Sequence, residues 1–222
     1  MSNKPNPIHI YPVGETAFTV EFGSVVALTL NRQVHALDAA LHTDPISGML
    51  ETVPTYRSLL VMYDPRRITA ERMLHTLTER AHTQAQPLTA ASHRRINVPV
   101  HYGGEWGPDL ADVAAHCGLT PAQVIEMHST ATYHVAMLGF APGFCYLLGL
   151  PEALATPRLA TPRLRVPPGS IGIAGAQTGM YALETPGGWR IIGRTQRTLF
   201  DPQRENPFAI QSGDEVTFET VT

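Results

Sequence analysis

From His128 onward the chain carries proline or glycine every few residues, with short apolar runs between them: Val135–Leu138, Ile171–Ala174, Met180–Leu183, Trp189–Ile192 and Val216–Phe218. Runs this short, bounded by turn residues, read as strands rather than helices. Many short strands are best satisfied by closing on themselves, because a closed sheet has no edge of unpaired backbone groups. The second half is therefore expected to form a closed or nearly closed β structure.

The first half has a different texture. Ile8–Tyr11 and Ala17–Phe22 alternate like strands, and Val26–His42 shifts to helical period with Leu30, Val34, Leu37 and Leu41 on one face. Strand signals return at Met49–Val53 and Ser58–Tyr63, followed by a helix N-capped by Thr69 and running through Leu74, Leu77 and Ala81. The order ββαββα predicts an open antiparallel or mixed sheet with two helices on one face, a small α/β sandwich. The polar, small-residue stretch Gln84–Ser92 (QAQPLTAAS) reads as a linker. The fold class is thus a two-domain α+β protein, with one domain over residues 1–90 and a second over 91–222. The second opens with a strand at Arg95–Tyr102 and two helices, Pro108–Cys117 and Thr120–Ser129, the latter with Thr120 as N-cap and Pro121 at the first helical position.

Composition excludes several classes. Hydrophobic residues make up 43% and the net charge is −3, which fits a globular protein and argues against wholesale nucleic-acid binding. No run approaches the roughly 18 apolar residues of a spanning helix, and MSNKPNPIHIYPVG lacks the apolar centre of a secretory signal. A cytoplasmic protein with no membrane association is expected. The two cysteines, Cys117 and Cys145, form no disulfide framework or zinc motif and are read as reduced thiols. Of the ten histidines none has H-E-x-x-H spacing, so no metal is assigned.

Chemistry-bearing features concentrate in one segment. Between Thr156 and Thr198 six arginines (Arg158, Arg163, Arg165, Arg190, Arg194, Arg197) face one acid, Glu184; that surplus of +5 in a chain of net −3 leaves the remainder at −8. Planar guanidinium forks suit carboxylate or phosphate, although such a cluster also describes a solvated face or a partner surface. The run GSIGIAG (Gly169, Gly172, Gly175) fits neither a dinucleotide fingerprint nor a Walker A loop, and reads equally as turns of a β barrel. Gln177 stands out as a polar residue among small ones, able to orient a ligand. In GFAPGFCYLLGLP, Phe140, Phe144 and Tyr146 supply either the walls of an apolar pocket or ordinary core. His128 closes a helix just before this region, where a histidine serves either the helix dipole or proton transfer. No Ser-His-Asp order or G-x-S-x-G elbow is present.

The run from TATYHVAMLGFAPGFCYLLGLP through PRLATPRLRVPPGSIGIAGAQTGMYALETPGGWRIIGRTQRTLFDP resembles the family of B-type 5-oxoprolinase subunits, which also takes in allophanate hydrolase subunit 1-like proteins and Kip-type kinase inhibitors. ETAFTVEFG, LNRQVHALDAAL, VPTYRSLLVMYDP and HYGGEWGPDLADVAAHCGLTPAQVI extend the resemblance over nearly the whole chain. It implies a cyclophilin-like β barrel for the second domain and a heteromeric complex with C-type and A-type subunits that converts 5-oxo-L-proline to L-glutamate at the expense of ATP. A Kip-type inhibitor of a sensor histidine kinase, or a component of allophanate or urea-amidolyase chemistry, shares the same resemblance. Under the oxoprolinase reading the lactam is activated by phosphorylation of its carbonyl oxygen before water opens the ring. Arg158, Arg163, Gln177, Arg194, Phe140 and Tyr146 are then the substrate-binding candidates, and His128 and Glu184 the proton-moving ones. The nucleotide loop and any metal-binding carboxylates come from the partners, so the chain is inactive alone. The family pattern G-F-x-P-G-F-P-Y-L-G-G-L departs here at Cys145 and Leu148, and losing the proline is expected to free the loop.

Overall fold

A computed structural model describes residues 8–84 and 94–221. These fall into two compact units, one on each side of the segment 85–93. The expected linker lies almost wholly outside the described residues.

In the first unit, β1 (His9–Val13), β2 (Ala17–Glu21), β3 (Met49–Pro54) and β4 (Ser58–Tyr63) form an antiparallel sheet in the order β1-β2-β4-β3. Helices α1 (Leu28–Thr43) and α2 (Ala70–Gln84) complete it. Alternation puts Phe18, Val20 and Phe22 with Leu59, Val61 and Tyr63 on one face, where they share a core with Leu30, Val34, Leu37 and Leu41 of α1. Each such buried side chain contributes roughly 1.5–3 kcal/mol. That burial holds α1 although its N-cap residue, Ala27, provides no side-chain cap. A buried polar residue on the same helix, Asn31, donates from Nδ2 to the carbonyls of Thr55 and Tyr56 and ties the helix to the β3–β4 turn. The α2 stripe differs from expectation by one position. Met73, Leu77 and Ala81 are fully buried at strict i, i+4 spacing, whereas Leu74 is 37% exposed. Thr69 does cap this helix, accepting from the Arg72 N–H at 3.3 Å.

The second unit is a closed barrel of seven strands, in the order β10-β7-β6-β13-β5-β12-β9. Its members are β5 (Arg95–Tyr102), β6 (Thr132–Leu138), β7 (Cys145–Leu148), β9 (Ser170–Ala174), β10 (Gln177–Met180), β12 (Arg190–Arg194) and β13 (Glu215–Thr220). Strands β8 (Arg163–Val166) and β11 (Thr185–Gly187) pair with each other as a separate ribbon. Among the described strands, β13 and β5 make the one parallel pair. Helices α3 (Leu110–Cys117) and α4 (Pro121–Thr130) place Leu110, Val113 and Val124 in the barrel's apolar cluster with Val98, Val135, Leu147, Ile171, Ile173 and Val216. The entry to α4 is a full capping box: Thr120 accepts from the Gln123 N–H and Gln123 returns the bond to the Thr120 N–H.

Two local expectations are corrected. Tyr181–Leu183 leaves the strand at Met180. Cys145 does not loosen its loop, because it lies fully buried in β7, opposite Leu138 on one side and Met180 on the other. Burial pushes its thiol up to about 12, so it stays a protonated core residue. Leu148 is buried as well, opposite His134.

Candidate functional site

A cleft of about 320 Å3 opens on the outside of the barrel, lined by aromatic rings (Phe140, Phe144, Tyr146, Tyr181, Trp189), by Pro186 and Gly187 of the ribbon with Pro162 and Gly188 flanking it, and by Arg158. The β6–β7 hairpin delivers the first three rings and the segment after β10 delivers Tyr181. Trp189 precedes β12. Phe144 is the hub, with its ring centroid 4.7 Å from Tyr146, 4.8 Å from Tyr181 and 5.5 Å from Trp189, all edge-on. This is the geometry in which the positive edge of one ring meets the negative face of the next.

The glycine run explains how the indole fits. Gly172 of β9 and Gly179 of β10 are cross-strand partners. A Cβ on Gly172 would come within 2.9 Å of the Trp189 Cβ, and one on Gly179 within 3.0 Å of Trp189 Cζ3 and 3.2 Å of Phe144 Cζ. The pair makes a side-chain-free floor on which Trp189 and Phe144 rest. Gly175 turns the hairpin between the two strands. Gly172 and Gly179 therefore seat aromatic rings, whereas Gly169 lies against the Thr195 carbonyl and Gly175 only turns the hairpin.

Arg158 is the one charged residue lining the cleft among the described residues. Its guanidinium carbon lies 5.9 Å from the Trp189 ring centroid. Backbone bonds fix it on both sides: Thr156 exchanges two with Gly175, at 2.8 and 3.2 Å, and the Leu159 N–H donates to the Gly188 carbonyl at 2.8 Å. Among the described residues it meets no carboxylate, whereas Arg163, Arg165 and Arg190 each do. Burial raises the Tyr146 phenol, opposed by the Arg158 charge, and pushes Tyr181 up to about 12. Both phenols are therefore neutral at physiological pH.

Of the candidate residues, Phe140, Tyr146 and Arg158 line this one cleft. The other candidates lie elsewhere. Arg163 turns its Nη2 to the buried Asp109 carboxylate at 2.6 Å, whose second oxygen accepts from the Ile191 N–H at 2.6 Å. Arg194 stacks over Trp106, 4.1 Å from the ring centroid, beside its cross-strand neighbour His101. Gln177 opens β10, outside the cleft lining. Glu184 is exposed, 3.7 Å from Arg165, and does not line the cleft. Asp109, Tyr181 and Trp189 were not singled out in the sequence. Trp189, between Gly188 and Arg190, carried the available signal, since a tryptophan beside a glycine pair asks for a flat bed.

His128 is corrected from a proton carrier to a core residue. It is fully buried, 4.7 Å from the Phe218 ring and stacked on it. Thr178 Oγ1 donates to the Gly172 carbonyl and so accepts from His128 Nε2 at 3.2 Å, which leaves Nδ1 to accept from the Tyr102 hydroxyl at 2.8 Å. Desolvation lowers its pKa from 6.5 to about 3. Because the folded value lies below the unfolded one, this contribution to stability is complete above pH 6.5 and is lost as pH falls toward 3, at about 1.4 kcal/mol per pH unit. In urea titrations from pH 7 to 4, H128Q is expected to lose stability less steeply than wild type; parallel acid limbs would contradict the assignment.

Among the described residues no cluster of histidine, cysteine or acidic side chains has a metal-holding arrangement, and no helix is long and apolar enough to cross a membrane.

Comparison with known proteins places this architecture. The family model for the carboxyltransferase domain, subdomain C and D, matches residues 8–210. The chain is 45% identical over 208 residues to the 5-oxoprolinase B subunit of Escherichia coli O157:H7, covering 94% of each chain. It is 40% identical over 223 residues to the protein of the same name from Bacillus subtilis (strain 168), covering 96% of this chain and 92% of that one. The crystal structure of TTHA0988 matches with a TM-score of 0.81 at 39% identity, over 93% of this chain and 40% of that one. Urea amidolyase of K. lactis shares the fold, with a TM-score of 0.77 at 18% identity, over 100% of this chain and 15% of its own. With a family model across most of its length and relatives matched over more than nine-tenths of both chains, this chain belongs to the family of 5-oxoprolinase B subunits.

Proposed function

We propose that this chain is the B subunit of an ATP-dependent 5-oxoprolinase, working in a cytoplasmic complex with C-type and A-type subunits to convert 5-oxo-L-proline to L-glutamate as ATP is hydrolysed. The observation that carries this reading within the fold is a cleft walled by aromatic rings, with one arginine that no carboxylate among the described residues engages. 5-Oxo-L-proline is a small, nearly flat lactam with one carboxylate. Its ring suits the faces of Trp189 and Tyr146, and its carboxylate suits the Arg158 fork. The neutral Tyr146 and Tyr181 hydroxyls are of the right type to donate to the lactam carbonyl.

Among the described residues no carboxylate or imidazole lines the cleft. This chain's part is to bind and orient the substrate, while proton transfer, nucleotide binding and any metal fall to the partner subunits. No step through the nucleotide is assigned to these residues. A mixture of the three subunits is expected to form glutamate and ADP in step from 5-oxo-L-proline and ATP. An assembled complex that forms neither contradicts the proposal.

A further inference from the structure

Phe140 is the only non-glycine described residue in the left-handed region, with φ of 64°. The Ala141 N–H donates to the Gly139 carbonyl at 2.7 Å, closing a three-residue turn about Phe140. Such a turn with positive φ at its centre is rare and strained, and a bulky residue makes it more so. Burial does not compensate, since the residue is 64% exposed. Neither backbone preference nor core packing accounts for a phenylalanine here, and strain of this kind gathers where a side chain serves a ligand.

The frame around it is rigid. The Phe144 N–H donates to the Ala141 carbonyl at 3.0 Å across Pro142 and Gly143, and the Gly139 N–H donates to the Phe144 carbonyl at 3.2 Å. Gly143 has φ of 76°, and a Cβ there would stand 2.8 Å from the Cβ atoms of both Ala182 and Phe200. This anchored hairpin displays the Phe140 ring edge-on to Phe144, with centroids 5.5 Å apart, on the lining of the cleft that holds Arg158 and Trp189.

Resting on the reading of the cleft as the 5-oxo-L-proline site, we propose that Phe140 is its specificity-determining residue: its ring covers a bound cyclic carboxylate and disfavours open-chain amino acids. A lactam anchored on Arg158 presents methylene groups and an uncharged amide to an apolar cover. Glutamate would bring an ammonium and a second carboxylate under the same ring, and each would be desolvated without a partner. The cleft therefore holds the substrate class and releases the product class.

The test uses the assembled three-subunit complex with F140A, F140G and F140Y. Loss of the ring is expected to raise KM for 5-oxo-L-proline about tenfold in both F140A and F140G, to change kcat less than twofold, and to strengthen inhibition by glutamate. F140Y, which keeps the ring, is expected to raise KM less than F140A does. F140G, freed of the backbone strain, melts no lower than wild type, which separates the KM change from unfolding. Unchanged KM in both small variants overturns the inference, as does a KM raised in F140A but restored in F140G, which would make the backbone the cause. Loss of copurification of the partners, with turnover lost alongside it, would overturn it in favour of a docking role. A wild-type complex without 5-oxo-L-proline turnover removes the underlying reading as well; turnover with indifferent Phe140 variants removes this inference alone.

Discussion

Replacing Arg158 by alanine in the assembled complex is expected to lower kcat/KM for 5-oxo-L-proline by about a hundredfold, the equivalent of roughly 2.7 kcal/mol and the scale of removing one partner from a hydrogen-bonded charge pair. The melting temperature should move by no more than a degree or two. Arg158 is exposed and holds no carboxylate among the described residues, so little in the fold depends on it. R158K keeps the charge but not the planar fork and should fall between the two. Steady-state kinetics and a thermal melt on the same preparations check both halves. Wild-type kinetics in R158A would remove Arg158 from the site.

The opposite signature is expected at Asp109. This carboxylate is 4% exposed and accepts from Arg163 and from the Ile191 N–H. The Arg163 Nη1 is already buried without a partner. D109A would leave the guanidinium uncompensated and the Ile191 N–H unsatisfied, a loss of about 3 kcal/mol, at the lower end for a broken buried pair because Arg163 keeps some exposure. Urea denaturation of D109A should show a lowered midpoint with an unchanged slope. Removing both charges, in D109L/R163M, should be less damaging than D109A alone. A wild-type midpoint in D109A would mean that the pair does not hold the β8–β11 ribbon to the barrel.

These two arginines show what the sequence could and could not disclose. Their clustering was plain in the composition, but Arg158 and Arg163 stand five residues apart and differ only in what lies opposite. Asp109 arrives from the start of α3, distant in sequence, and no local pattern announces it. The α1 stripe and the closed barrel were legible because period and turn spacing are local properties. The shift from Leu74 to Met73 was not, because two adjacent apolar residues are equivalent until a neighbouring sheet chooses between them. Strands β8 and β11 escaped for a related reason: the Arg-Leu-Arg-Val of β8 alternates over only four residues, too few to stand out, and the Thr-Pro-Gly of β11 has no alternation at all.

The site was legible in part. The aromatic loop pointed to a cleft, yet Tyr181 and Trp189 join Phe144 only because β7, β10, β9 and β12 are consecutive around the barrel. The glycine spacing drew attention for phosphate chemistry, while its cross-strand register makes a bed for an indole. His128 suggested proton transfer by its position at the end of a helix, and burial reversed that role. Residue type shows what a group can do, but which groups it meets is a property of register and closure.

The most direct test of the central claim is ATP-dependent release of glutamate from 5-oxo-L-proline by this chain expressed with its C-type and A-type partners, measured beside an otherwise identical preparation lacking it. Activity present with the chain and abolished without it is the expected result. Equal activity in the two preparations would contradict the assignment of this chain as an essential oxoprolinase component.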